Sequence, residues 1–370
     1  MNRINSLDGL RGLAAIGVAF FWHYQHFNPE TFPFSRKAYW FYQYGYSLVD
    51  LFFILSGFIF CYVYKARLTS KSLGIKEYSV LRFSRLYPLH LLTLLLVALV
   101  QSIRQYYIGD YFVYQHNDTY HFILNLFFIQ NGWFEHNFSF NAPTWSLSVE
   151  IIAYLLFFLI IYFLGSKKYY LVLYIAFVIL GIVIKLTGLN TFLLNQETSR
   201  VFLGFFVGCL VYELYNYVRK IKTRHVFIAI YSAIFLFLSI SAITFGHGVL
   251  RDWQLVYTLI IFPLGILIIL EIKILNKILS VKPLTYLGEI SFSIYLLHYP
   301  MQLVLKTLKD IYSFDINFSS RLTFVTFCIS VILVSILSHE FFEKPSQKYL
   351  RKVLLNSKNV RDKRILYSKS

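Results

Sequence analysis

Residues 7–23 read LDGLRGLAAIGVAFFWH. Between Arg11 and His23 there is no other ionisable side chain. On a helix rising 1.5 Å per residue the two would stand roughly 18 Å apart, more than half of an apolar bilayer core of about 30 Å. The stretch reads as a membrane span with a cation near one end and an imidazole near the other. It does not read as a cleavable signal, because no small-residue cleavage site follows it.

Apolar runs of about 20 residues recur outward from this one. They predict an all-α polytopic membrane bundle of ten transmembrane helices. The spans lie near 10–27, 45–64, 85–103, 145–164, 169–187, 199–217, 226–244, 253–271, 289–308 and 321–341. The apolar segment His121–Gln130 is short and suits a re-entrant or interfacial helix. Residues 1–343 are read as one membrane domain and 344–370 as a basic cytoplasmic tail. No internal repeat, linker or appended soluble domain is visible.

Composition agrees. Of the residues, 57% are hydrophobic and 14% charged, against about 45–50% and about 25% in soluble domains. Mean hydropathy is +0.58, which excludes an ordinary water-soluble enzyme. Cys61, Cys209 and Cys328 lie far apart in apolar runs, so they read as packing residues, with neither disulfide nor metal site indicated.

The net charge of +17 would suggest nucleic acid in a soluble protein. Here it is a topology signal. Loop 65–85 carries Lys65, Arg67, Lys71, Lys76, Arg82 and Arg85, and later loops on the same side hold Lys167, Lys168, Arg219, Lys220, Lys222, Arg224, Lys273, Lys277 and Lys282. The tail from Lys344 adds nine more, whereas 105–144 and 188–198 have none. The basic side is the cytoplasm, with both termini inside the plasma membrane of a bacterium and no nucleic-acid partner. The tail can also touch anionic headgroups.

Ionisable groups inside spans are costly and mark function. His23 is one, with His26 a turn further and Trp22 beside it. Asp50 sits near the outer boundary of span two, and Ser56-Gly57 reads as a close helix-packing patch. Arg82 and Arg85 are three apart, share a helix face and can grip a phosphate or carboxylate together, although plain positive-inside anchoring is the competing role. Tyr87-Pro88 suggests a bend. Pro143-Thr144-Trp145 starts span four, and Glu150 falls a turn inside it at a depth like that of His23. An unpaired carboxylate there expects a partner. In span nine, Ser291, Ser293 and His298 read as core hydrogen-bonding residues, and His339, Glu340 and Glu343 as structural.

Five stretches together resemble the acyltransferase-3 family of membrane O-acyltransferases. They are LDGLRGLAAIGVAFFWH at 7–23, VDLFFILSGFI at 49–59, RFSRLYP at 82–88, PTWSLSVE at 143–150 and SFSIYLLHYP at 291–300. The resemblance implies acyl transfer, often of acetyl, from cytoplasmic acyl-coenzyme A to a hydroxyl of a surface polysaccharide. Acyl-coenzyme A would be a co-substrate, with no permanently bound cofactor. It implies Arg11 and His23 as the first-span pair, Arg82 and Arg85 as the basic pair, and Glu150 as the family carboxylate. One departure stands out: eleven residues separate Arg11 from His23, where the family pattern has about ten. One residue turns a helix by roughly 100°, and Gly17 could permit a different local winding.

The expected chemistry gives His23 the role of general base, with Glu150 orienting its ring. Arg11, Arg82 and Arg85 would hold the donor's phosphates, with Asp50, Trp145 and His298 in support. The expected partners are acyl-coenzyme A, a glycan or lipid-linked glycan acceptor, the bilayer and, as one option, further copies of the chain. Direct transfer and a covalent acyl-histidine both stay open. The competing functions are a transporter or flippase of an acyl or glycan compound, which would often show inverted repeats, and an envelope assembly scaffold.

Overall fold

All ten apolar runs fold as helix in the computed structural model, which describes residues 3–167, 169–244 and 253–355. The helices are α1 (Asn5–Ile16), α2 (Ser35–Tyr44), α3 (Leu48–Thr69), α4 (Ile75–Ile108), α5 (Thr119–Leu126), α6 (Trp145–Leu164), α7 (Tyr170–Thr187) and α8 (Gln196–Val218). They continue as α9 (Arg224–Thr244), α10 (Trp253–Val256), α11 (Phe262–Glu271), α12 (Lys273–Leu279), α13 (Lys282–Tyr312), α14 (Arg321–Ser338) and α15 (Lys344–Leu354). Among the described residues no strand is present, and eight segments are long and apolar enough to cross a membrane. The other two expected spans lie on α1 with its continuation and on α13. These carry Arg11, His23 and His298.

Glycine sets the closest helix pairs. A Cβ on Gly57 of α3 would collide with the Phe205 carbonyl of α8, and one on Gly208 with the Ile54 carbonyl. Only bare backbone lets α3 and α8 approach so closely. Gly12 of α1 and Gly288 of α13 meet in the same way. Phe53, Phe58, Phe60, Phe157, Phe205 and Phe206 fill the core between α3, α6 and α8.

Four differences from the sequence reading bear on the site. Helix α4 begins at Ile75, about ten residues early, so Arg82 and Arg85 lie two turns inside a helix rather than in a loop. It also runs on through Pro88. The short helix α2, too polar to be seen as an apolar run, fills part of the first connection. The expected basic tail begins as α15, which continues from α14 through a π turn at His339–Glu343. It packs on α4, where Arg351 Nε donates to Ser84 Oγ at 3.1 Å. The rest of the tail, including Lys363, and Lys168 lie outside the described residues.

The short helix expected at His121–Gln130 is α5. Asp118 caps it by accepting from the His121 N–H at 3.0 Å, and that bond, with the His121 ring, holds the Asp118 carboxyl below its usual range. The chain then enters the bundle in irregular form, with Gln130, Asn131 and Asn141 buried. Non-helical backbone at such a place needs partners from the protein. Ser148 Oγ lies 2.9 and 2.8 Å from the Phe128 and Asn131 carbonyls, and Asn141 Nδ2 donates to the Leu296 carbonyl at 3.0 Å.

Candidate active site

Helix α1 changes winding between Arg11 and His23. Gly17–Trp22 forms a π turn and His23–Phe27 a 3₁₀ turn. A π turn accommodates one more residue than an α turn, and such bulges gather at functional sites. His23 is thereby aimed at α13.

The two ends of the bundle hold two different cavities. One, of about 490 Å³, is lined by Trp22, His23, His26, Tyr114, Trp145 and Arg200, among others. We call it the histidine cavity. Its hydrogen bonds fix the tautomers. His298 Nδ1 lies 3.2 Å from the Ile294 carbonyl, which can only accept, so Nδ1 carries the proton. His298 Nε2 is then an acceptor, and His23 Nδ1, 2.7 Å away, donates to it. His23 Nε2 is left with a free lone pair in the cavity that His23 lines. His26 stacks on His23 with ring centres 5.1 Å apart. It is held by Gln302 Oε1 at 3.2 Å and Tyr114 Oη at 3.3 Å. Gln302 in turn donates to the His23 carbonyl at 2.9 Å.

The second cavity, of about 120 Å³, is lined by Arg11, Arg82, Arg85, Ser56, Glu150 and Tyr154 among aromatic and aliphatic side chains. We call it the arginine cavity. Ser56 Oγ donates to Glu150 Oε1 at 2.6 Å and lies 3.4 Å from Tyr154 Oη. The Arg82 guanidinium lies 4.9 Å from the ring centres of both Phe60 and Tyr64, and its buried Nε has no partner. Arg11 Nη1 sits 3.7 Å from Asp8 Oδ1.

Chain direction places these cavities at opposite ends. Arg11 lies near the start of α1, and Arg82 and Arg85 in the first third of α4, whereas Trp145 and Arg200 open α6 and α8. Between the cavities stands a thin polar layer. Tyr295 Oη donates to the Pro143 carbonyl at 2.8 Å and lies 3.0 Å from Ser146 Oγ. Pro143 lines the histidine cavity, while Ser146 and Tyr295 line the arginine cavity.

The structure brings Arg11, Arg82, Arg85 and Glu150 together. It does not join Glu150 to His23. The expected pairing assumed ideal helix depth; instead the π turn points His23 at α13, and Ser56 claims the carboxylate. The partner of His23 is His298. Ser56, read as a packing residue beside Gly57, faces the cavity, while Gly57 makes the close approach. Trp145 lines the histidine cavity beneath Arg200, whose guanidinium carbon is 4.8 Å from a Trp145 ring centre. Asp50 is fully buried behind it, accepting from Arg200 Nε at 2.8 Å and from Gln254 Nε2 at 2.8 Å. Sequence reasoning missed Arg200 and Gln302. An arginine in the first turn of span six was the available signal. Among the described residues no cluster of three or more His, Cys, Asp or Glu side chains could hold a metal.

Comparison with known proteins bears on this geometry. The acyltransferase-3 family model, described as an acyltransferase domain, matches residues 4–340. The peptidoglycan O-acetyltransferase OatA of Listeria monocytogenes is 26% identical over 376 residues, covering 93% of this chain and 56% of that protein. The O-acetyltransferase OatA of Staphylococcus aureus is 24% identical over 371 residues, covering 92% and 57%. A Rhizobium radiobacter protein named Protein 2 in picA locus is 38% identical over 92 residues, covering 25% and 42%. The chain thus spans just over half the length of its OatA relatives. No solved structure matches.

Proposed function

This chain belongs to the acyltransferase-3 family, and we propose that it moves an acyl group, acetyl in the first instance, from cytoplasmic acyl-coenzyme A to a hydroxyl of a cell-envelope glycan. The observation that carries the reading is the hydrogen-bonded series from the Ile294 carbonyl through His298 to His23, which leaves His23 Nε2 as a base facing the larger cavity. A neutral imidazole with a fixed tautomer suits proton removal from an acceptor hydroxyl. That hydroxyl attacks the acyl carbon, the carbon–sulfur bond breaks, and the thiolate leaves to be protonated. His298 plays the orienting part that a carboxylate plays in hydrolase triads.

The arginine cavity supports the donor side. Three guanidiniums converge there with Glu150. Guanidinium pairs with phosphate through two parallel hydrogen bonds. The cavity, at about 120 Å³, suits a slender acyl-thioester end better than a nucleotide, so the nucleotide would rest outside it on the arginines. The basic loops support a reading with this end on the cytoplasmic side of a bacterial plasma membrane and the histidine cavity facing out. The acyl end would pass the layer of Tyr295, Ser146 and Pro143.

The test is acetyl transfer from acetyl-coenzyme A to glycan oligomers by purified protein. Wild type should transfer and well-folded His23→Ala should not. Near-normal transfer by that variant would remove His23 from the chemistry and bring His26 forward.

A further inference from the structure

Among the described residues, the walls of the histidine cavity carry one formal positive charge, Arg200, and no carboxylate. The rest of the lining is histidine, Gln25, Ala142, Pro143 and the aromatic rings of Trp22, Tyr46, Tyr114, Phe138 and Trp145. Aromatic faces suit the apolar faces of sugar rings. A cation among them is superfluous for a neutral glycan and costly in a span unless it is used.

How Arg200 is held leaves it capacity. Nε donates to Asp50 Oδ1 and Nη2 to the Tyr46 carbonyl, each at 2.8 Å. Trp145 supports the guanidinium plane. A guanidinium has five N–H donors, and none of the Arg200 nitrogens is a sealed, unpartnered atom among the described residues. The remaining donors therefore have the cavity to bond into. Asp50 fixes the group from behind, with Gln254 on its other oxygen, so the fork is pre-organised before any ligand arrives.

We propose that Arg200 is the acceptor anchor: it binds an oxyanion carried by the acceptor glycan, a sugar carboxylate or phosphate, and so sets a hydroxyl of that sugar beside His23. The proposal rests on the reading of this cavity as the acceptor site. It makes the acceptor an anionic glycan and gives Arg200 a part in choosing it.

The experiment uses the full chain in detergent with four probes. The N-acetylglucosaminyl–N-acetylmuramic acid disaccharide is compared with its carboxyl methyl ester, and N-acetylglucosamine 1-phosphate with N-acetylglucosamine. Binding is read by quenching of tryptophan fluorescence, since Trp22 and Trp145 line the cavity, and reaction by transfer of radiolabelled acetyl. Arg200→Gln alone would strand the buried Asp50 charge and could misfold. The double variant Arg200→Gln with Asp50→Asn removes the pair together, and Arg200→Lys keeps the charge without the fork.

Wild type should bind at least one oxyanion probe about tenfold tighter than its neutral counterpart, as a charge-assisted hydrogen bond would give. The double variant should bind both alike, with lysine between. The arm showing the preference tells carboxylate from phosphate. No preference in wild type, no binding of any probe, or a preference that survives in the folded double variant would overturn the proposal. Preference in binding without acetyl transfer would uphold the anchor and overturn the transferase reading. Transfer without preference would do the reverse.

Discussion

The arginine cavity is lined from α1, α3, α4, α6 and α13, the histidine cavity from the turns that continue α1, from α6 and α8 and from the connecting segments, and their chemistry is opposite. In the first, guanidiniums crowd around one carboxylate, and that carboxylate accepts from Ser56. In the second, imidazoles are ordered by one another and by backbone and amide partners, and the only cation among the described lining residues is tied to a buried aspartate. One end of the bundle offers grip on an anion and the other offers a base. A single hydrogen-bonded layer of Tyr295, Pro143 and Ser146 divides them. On the proposed reading, the difference separates donor binding from proton transfer, with a slender acyl group passing between the two cavities.

The largest expected effect breaks the histidine side. His23→Ala should lower acetyl transfer by about 10²–10⁴-fold, the usual worth of a general base, while coenzyme A binding by the arginine side stays as in wild type. Transfer rates and calorimetric coenzyme A titration check both halves. If binding falls as far as transfer, the two cavities do not act separately.

Next comes the orientation of the base. His298→Ala removes the acceptor for His23 Nδ1–H and should lower kcat by about 100-fold, the low end of what a general base is worth and less than the roughly 10⁴-fold a wrong tautomer costs in a serine-protease triad. The donor KM should hold. His298→Gln offers an amide oxygen at that place and should recover part of the loss. Equal kcat in the alanine and glutamine variants would mean that His298 only packs.

On the arginine side, Arg82→Lys with Arg85→Lys keeps the charge and loses the planar fork. The apparent KM for acetyl-coenzyme A should rise roughly tenfold with acceptor dependence little changed. Unchanged coenzyme A affinity would leave these arginines as topology signals and move the phosphate site toward Arg11 or loop 219–224.

The smallest effect sharpens the contrast. Ser56→Ala deletes one donor to Glu150, a loss of about 1 kcal/mol. It should move kcat/KM by no more than about tenfold, in the donor term alone. A larger loss in the acceptor term would tie Glu150 to the histidine side after all.

The bundle was legible because apolar runs of membrane length cannot easily mean anything else. Arg82 and Arg85 were legible as a pair because a three-residue spacing shares a face on any helix, even one whose start was misplaced at 85 instead of Ile75. The His23–Glu150 pairing failed for a local reason. Depth counted along ideal helices ignores the π turn at Gly17–Trp22 and the buried irregular chain that leads into α6. His298 was seen as a core hydrogen-bonding residue and is one, and its partner is His23. Arg200 escaped notice because it follows the capping pair Asn195 and Thr198 and reads as an end residue, while its partner Asp50 is 150 positions away.

The central claim is that donor and acceptor enter from opposite ends of one bundle. Reconstituted vesicles with the protein in one orientation test it, with orientation fixed by labelling cysteines placed at Ser70, on the arginine side, and at Asn137, on the histidine side. Acetyl-coenzyme A is supplied on one side only and glycan on the other. Labelled acetyl should reach the glycan when the donor is on the Ser70 side and the glycan on the Asn137 side, and the reverse arrangement should give none. Equal transfer in both arrangements, or transfer only when donor and glycan share a side, would contradict the account.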